Sequence, residues 1–354
     1  MSLPGDPARS VLAANPLIFA AGRRVRAHVE RNGFDLADFP LVLGAAGGPK
    51  WLVLYGLDRV LAPRWKAAQR QTGDLIGSSI GAWRFACWLQ RDPVAALDRL
   101  FEAYVNAEDF ATGSLPDFNH LFRGYIEAML DGDEGALLAD DVHRLHIAVT
   151  AMPVRPWGTL PGLAATALRN CLGRETLLAG GARRVLASNA PLPPPLAEVW
   201  PHALQPLTPE SVPAALMATA AVPGMIKPVA GWLDGAVGID GGILDYHFDP
   251  RGLRDRFALY PHFAATATPG WFDKPFRSRR LTPEQMDNVL MISPGPDFVA
   301  QMPGGKVPDR DDPRKLTREA LFENWHGVGL ASRALGDAFG ELMENGRIEA
   351  CLGG

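Results

Sequence analysis

Residues 73–83 read GDLIGSSIGAW: an apolar run, two adjacent serines framed by glycines, and an exit with helical spacing. A nucleophilic serine on a sharp strand-to-helix turn holds a strained backbone. The residues two before and two after it must be small, because the turn brings them together. Centred on Ser79 those positions are Gly77 and Gly81; centred on Ser78 they are Ile76 and Ile80, both branched and bulky. The pattern selects Ser79 as candidate nucleophile and Gly77 and Gly81 as elbow glycines. A plain structural turn has the same local composition, so the partners that acyl chemistry requires must be sought elsewhere in the chain.

On either side of this stretch the chain alternates between strand and helix patterns. PLVLGAAGG from Pro40 reads as a buried strand entering a glycine loop, and residues 51–61 as a helix stopped by Pro63. GDLIGSS is a short strand and IGAWRFACWLQ a helix; Asp92 and Pro93 then supply an N-cap and first helical position. Further strands are expected over 145–152, 182–190 and 289–295, a helix over 211–222, and one long closing helix over 317–346. Residues 9–31 read as an amphipathic helix, with Val11, Ile18, Phe19, Val25 and Val29 on one face and Gly33 at its stop. Segments 189–213 and 296–314 read as irregular loops. This alternation predicts an α/β fold whose mainly parallel sheet is covered on both faces. The expected organisation is a helical lead-in over 1–39, a catalytic domain over 40–312, and a closing helix over 313–354 packed on that domain.

The 354 residues are 47% apolar and 21% charged, with a formal charge of -4. The charge lacks the basic excess of a nucleic-acid binder. Cys87, Cys171 and Cys351 are scattered and odd in number, which fits a reducing compartment. No signal-peptide pattern opens the chain and no long uninterrupted apolar run occurs, so a cytoplasmic location is expected. Residues 269–281, PGWFDKPFRSRRL, mix aromatic and basic side chains. Such a loop can rest on an anionic membrane surface, giving a cytoplasmic protein peripheral contact with lipid; equally, it can anchor in the core and solvate its end. Trp83, Phe85 and Trp88, which follow the candidate nucleophile, read as core.

Acyl transfer needs preorganised N–H donors for an oxyanion. Residues 44–51, GAAGGPKW, offer Gly47 and Gly48 as donors free of side chains; Pro49 has no N–H, and Lys50 adds positive charge. The loop matches neither GxGxxG nor GxxxxGK[ST], which argues against a dinucleotide or P-loop site. For a base, the histidines stand in no obvious motif. WLDGAVGIDGGILDY, residues 232–246, carries Asp234 before Gly-Ala and Asp240 before Gly241 and Gly242. An isolated Asp-Gly is commonly only a tight turn.

A glycine-rich loop with a basic residue, then GxSxG, then a distant D-G-[GA], in that order over residues 40–295, resembles the patatin-like phospholipase family. The approach ALMATAAVPGMIKPV, residues 215–229, strengthens the likeness. The resemblance implies a three-layer α/β/α fold and a Ser–Asp dyad that cleaves acyl esters of lipids with no metal and no cofactor. On that likeness Ser79 is the nucleophile and Asp240 the base, with Asp234 a decoy. Gly47 and Gly48 line the oxyanion hole, joined by the Ile80 N–H, and Lys50, Gly241 and Gly242 support the site. Ala46 and Trp51 depart from the family pattern, which has glycine at both positions, and Trp51 is expected to reshape the donor set and the acyl pocket. Two rivals stand beside this reading. One is an α/β-hydrolase with a Ser-His-Asp triad drawing on His247 or His262; the other is a lipid-binding relative without activity.

Overall fold

The computed structural model describes residues 15–106, 117–154 and 158–352. Its strands are β1 (Leu17–Ala21), β2 (Leu41–Gly44), β3 (Gly73–Ser78), β4 (His143–Pro153), β5 (Arg183–Ser188), β6 (Ala203–Pro206), β7 (Val229–Leu233), β8 (Ala236–Ile239), β9 (Ala258–Pro261) and β10 (Val289–Pro294). They form one sheet in the order β1-β10-β9-β2-β3-β4-β5-β6, and a β7–β8 hairpin joins it where β8 pairs with β4. The run from β10 to β4 is parallel; β1, β5 and β8 pair antiparallel with their neighbours in it. Every residue of β2, β3 and β10 is buried, as expected of parallel strands covered on both faces. The sheet is mostly parallel and flanked by helices, a three-layer α/β/α arrangement.

The principal helices are α1 (Arg23–Asn32), α2 (Tyr55–Ala68), α3 (Ile80–Leu89), α4 (Pro93–Val105), α5 (Phe118–Leu130), α6 (Leu160–Leu172), α7 (Val212–Thr219), α8 (Arg318–Ala331) and α9 (Arg333–Glu344). Helix α3, which follows the serines, packs on β2, β3 and β4. A fully buried ion pair ties it to α2: Arg84 donates through Nε and Nη2 to Asp58, both at 2.6 Å. Asp92 caps α4 as expected, accepting from the amides of Val94 and Ala95.

Several expected boundaries move. The lead-in helix is replaced over Leu17–Ala21 by edge strand β1, which alternates buried and half-buried residues against β10. Helix α1 begins only at Arg23, so the helical spacing from Ile18 to Val29 spans two elements; Val11 lies outside the described residues. Pro63 does not end α2: the helix forfeits one backbone bond and continues. Its C-terminal half is fixed by buried Leu61 and by Trp65, whose indole donates to the Phe39 carbonyl at 2.8 Å. The proline-rich segment 189–213 holds a short helix, Pro194–Val199, and edge strand β6. Segment 296–314 opens with helix Pro296–Gln301.

The closing helix is two helices. They break at Ser332, whose hydroxyl accepts from the Gly56 amide at 2.8 Å and donates to the Gly329 carbonyl at 2.6 Å. Beyond the break α9 lies against α2 so closely that a Cβ on Gly336 would stand 2.3 Å from the Gly56 oxygen. Gly336→Ala is therefore expected to lower stability by about 1–3 kcal/mol in urea unfolding. Gly340→Ala, whose Cβ meets nothing nearer than 3.6 Å, should be neutral or stabilising.

Candidate active site

Strand β3 ends at Ser78, α3 begins at Ile80, and Ser79 between them has φ 52 and ψ -128. A non-glycine residue in this region stores about 1–3 kcal/mol of strain and persists only where its surroundings fix it. Here they do. The Ser79 carbonyl accepts from the amides of Ala82 (3.0 Å) and Trp83 (3.3 Å), and its own amide donates to Thr219 Oγ1 at 2.8 Å. The elbow glycines are sterically required: a Cβ on Gly77 would come 2.5 Å from the Ala82 nitrogen, and one on Gly81 2.4 Å from the Gly44 carbonyl. Ser78 points into structure, donating to the Asp245 carbonyl at 2.7 Å. The two serines are thus divided as the flanking glycines predict.

Asp240 follows β8 at a turn held by the end of α7. Its amide donates to the Ala221 carbonyl and that of Gly241 to the Thr219 carbonyl, both at 3.0 Å. Thr219 thus binds the serine turn through its hydroxyl and the aspartate turn through its backbone, while donating to the Ala148 carbonyl at 2.5 Å. A Cβ on Gly241 would stand 2.1 Å from that same carbonyl oxygen, which the turn approaches directly. Five residues on, Asp245 takes a bidentate bond from Arg184 of β5 at 2.5 and 2.7 Å, fixing the far end of the turn. Asp234 lies elsewhere, exposed with Gly235 (φ 64) in the tight turn of the β7–β8 hairpin.

Ser79 (7% exposed) and Asp240 (5% exposed) open onto one cavity of about 950 Å³. Gly47, Gly48, Lys50 and Ile80 also border it. The Ala46 amide is spent on the Tyr246 carbonyl at 2.8 Å. Among the described residues, by contrast, the amides of Gly47, Gly48 and Ile80 have no acceptor, so three N–H donors remain for a ligand. Gly47 could carry no side chain, since its Cβ would meet the Phe263 ring at 2.7 Å. No hydrogen bond among the described residues joins Ser79 Oγ to Asp240; catalytic hydrogen bonds in free enzymes are commonly long and tighten around substrate.

Burial pushes Asp240 up to about 6, against the opposing pull of the Gly242 N–H (2.7 Å from Oδ1) and of the Lys274 and Arg310 charges. No described residue bordering the cavity is a histidine. His247 accepts from the Thr268 amide at 2.8 Å, His262 donates from Nδ1 to the Ala264 carbonyl at 2.5 Å, and burial pushes both below the ordinary histidine range.

Trp83, Phe85 and Trp88 pack in the core as expected, and Trp83, its indole anchored on the Leu216 carbonyl at 2.9 Å, also borders the cavity. Trp51 is buried edge-on to Tyr55 and Tyr104 and does not border the cavity, so it leaves the donor set intact. The aromatic-and-basic loop anchors on the core through Trp271 and Phe272 and exposes Arg277 and Arg280, one of the two arrangements its composition allows; Trp271 and Lys274 also border the cavity. Asp273 between them is buried on Asn170 (2.9 Å), Arg279 (2.8 Å) and the Gly270 amide (2.9 Å). Thr219 and Asp245 fall inside the motif stretches 215–229 and 232–246 without standing out there, Trp271 and Lys274 belong to the aromatic-basic stretch 269–281, and nothing in the sequence marks Arg310.

The chain matches no protein-family model and no curated protein. No helix among the described residues is long and apolar enough to cross a membrane.

Thr219→Val leaves the Ser79 amide and the Ala148 carbonyl unpaired and should cost about 1–3 kcal/mol of stability for each buried group. Thr219→Ser, which keeps the hydroxyl, should stay within about 1 kcal/mol of wild type. Urea unfolding of the two variants checks this.

Proposed function

We propose that this chain is a serine acyl hydrolase of patatin-like type, cleaving carboxylic esters of apolar acids through a Ser79–Asp240 dyad. The observation that carries the reading is the convergence on one cavity of a strained, buried serine, a buried carboxylate and three unoccupied backbone amides. Asp240 accepts the Ser79 proton as Oγ attacks the ester carbonyl, and the developing oxyanion meets the N–H groups of Gly47, Gly48 and Ile80. The tetrahedral intermediate collapses, Asp240 returns the proton to the departing alcohol, and an acyl ester remains on Ser79. Water then attacks that ester with Asp240 again as base, releasing the acid and restoring the serine.

An ordinary aspartate is a poor base, but a carboxylate near 6 is better matched to neutral pH. Trp83, Phe122, Tyr125 and Met225 give the cavity an apolar region suited to an acyl chain. This supports a lipid-like substrate and agrees with the resemblance to patatin-like phospholipases. The cytoplasmic location and peripheral membrane contact expected from the sequence belong to the same proposal.

Hydrolysis of a neutral short-chain ester tests the dyad. Asp240 must be ionised to act, so kcat/KM should rise about tenfold per pH unit below its pKa of about 6 and level off above it. Asp240→Asn should lose about 10²–10⁴ in kcat. Flat pH dependence between 5 and 7, or full activity in Asp240→Asn, would contradict the assignment.

A further inference from the structure

Asp240 stands at the head of a single helical turn, Gly242–Asp245, and the cavity wall beside it is the loop that holds Trp271 and Lys274. A side chain that does not border the cavity binds both. Arg174 opens the short helix Arg174–Leu178, which follows α6. Its Nη2 donates to the Leu244 carbonyl at 2.9 Å and lies 3.5 Å from Asp245 Oδ1, while its Nη1 lies 3.4 Å from Asp273 Oδ2. The loop passes close to the same group: a Cβ on Gly270 would stand 2.9 Å from that Nη1 and 3.4 Å from the Ile243 oxygen.

Neither acid depends on Arg174 for a cation. Asp245 has the bidentate bond from Arg184, and Asp273 has Arg279 at 2.8 Å, Asn170 at 2.9 Å and the Gly270 amide at 2.9 Å. What Arg174 adds is the link between them, through a planar group that fixes the aspartate turn against the wall. That relation governs where Lys274 sits. Its Nζ lies 3.7 Å from the centre of the Tyr246 ring and 3.5 Å from that of Trp271, one ring on the aspartate side and one on the loop. Lys274 forms no ion pair with Asp240 among the described residues, yet its charge already acts on that carboxylate. The other groups in electrostatic contact with Asp240 are Arg310, which stacks on the same Trp271, and Tyr246 of its own turn. A lysine stem is flexible, and a cation held by ring faces is free to pair with a carboxylate that moves within reach.

We infer that Arg174 is a positioning residue for the dyad: by locking the Asp240 turn to the Asp273 loop it keeps Lys274 on its two rings and off the Asp240 carboxylate, which stays available for the Ser79 proton. This inference rests on the acyl-hydrolase reading and adds to it a residue outside the cavity.

The test follows hydrolysis of p-nitrophenyl butyrate against pH for wild type, Arg174→Gln, Arg174→Lys, Lys274→Gln and the double variant Arg174→Gln/Lys274→Gln. Urea unfolding reports that each is folded. Arg174→Gln should lower kcat about fivefold or more with KM within about twofold of wild type, because a paired carboxylate is a weaker base. Its acid limb should move from about 6 towards lower pH by about one pH unit, since an ammonium that reaches a carboxylate favours the ionised form. Arg174→Lys keeps a charge but not the fork, so it should fall between the two in both readouts, and it carries the test where the glutamine variant is unfolded. In the double variant the competing cation is gone, and the acid limb should coincide with that of Lys274→Gln. Wild-type kcat and acid limb in folded Arg174→Gln, or a rate loss with an unmoved limb, overturns the positioning role and leaves the hydrolase reading standing. So does a shifted limb that persists in the double variant. No turnover by folded wild type, with no labelling by a fluorophosphonate, overturns the hydrolase reading and the positioning role with it.

Discussion

The hydroxyl of Thr219 is the constraint on which the site depends. It accepts the Ser79 amide and donates to the Ala148 carbonyl, while the backbone of the same residue holds the Asp240 turn through Gly241. One buried side chain therefore fixes the spacing between two turns far apart in sequence. The sheet supplies the frame for this. Ser78 is the register partner of Ala148 on β4, and two residues further along that strand Thr150 is the partner of Ile239, the residue before Asp240. A strained serine conformation persists because its amide, its carbonyl and both flanking glycines are over-determined by neighbours that cannot move independently.

Electrostatics complete what geometry begins. Burial makes Asp240 a stronger base, and the nearby cations moderate that shift without forming a salt bridge that would immobilise the carboxylate. Seating Lys274 against Tyr246 and Trp271 keeps positive charge in the cavity yet apart from Asp240. A carboxylate locked in an ion pair such as Asp58 with Arg84 is a structural element. Asp240, bound mainly through one backbone N–H, has no such ion pair among the described residues.

What could be read from the sequence was whatever is enforced locally. The elbow is legible because Gly77 and Gly81 contact atoms within a few residues or across one strand pairing, so size alone separates Ser79 from Ser78. The two Asp-Gly turns differ in the structure, Asp234–Gly235 being a two-residue hairpin and Asp240 being followed by two glycines at a crowded turn, but in the sequence only the family resemblance distinguishes them. Distant partners left no local trace. Residues 17–21 become a strand because β10, near the other end of the chain, offers an open edge. The closing helix breaks because Ser332 finds Gly56. Thr219 looks like an ordinary position in an alanine-rich helix, and Lys274 and Arg310 meet only when two loops fold over one tryptophan. Local pattern thus separated the two serines; the charge around them became visible only in three dimensions.

The proposed hydrolysis requires Ser79 to be an activated nucleophile. Its most direct test is to treat the folded protein with a fluorophosphonate and locate the adduct by tandem mass spectrometry of the peptide spanning residues 73–83. A single phosphonyl adduct on Ser79, with Ser78 unmodified and no adduct in Ser79→Ala, is the predicted result. An adduct on Ser78 or on another residue, or no adduct on folded wild-type protein, would contradict it.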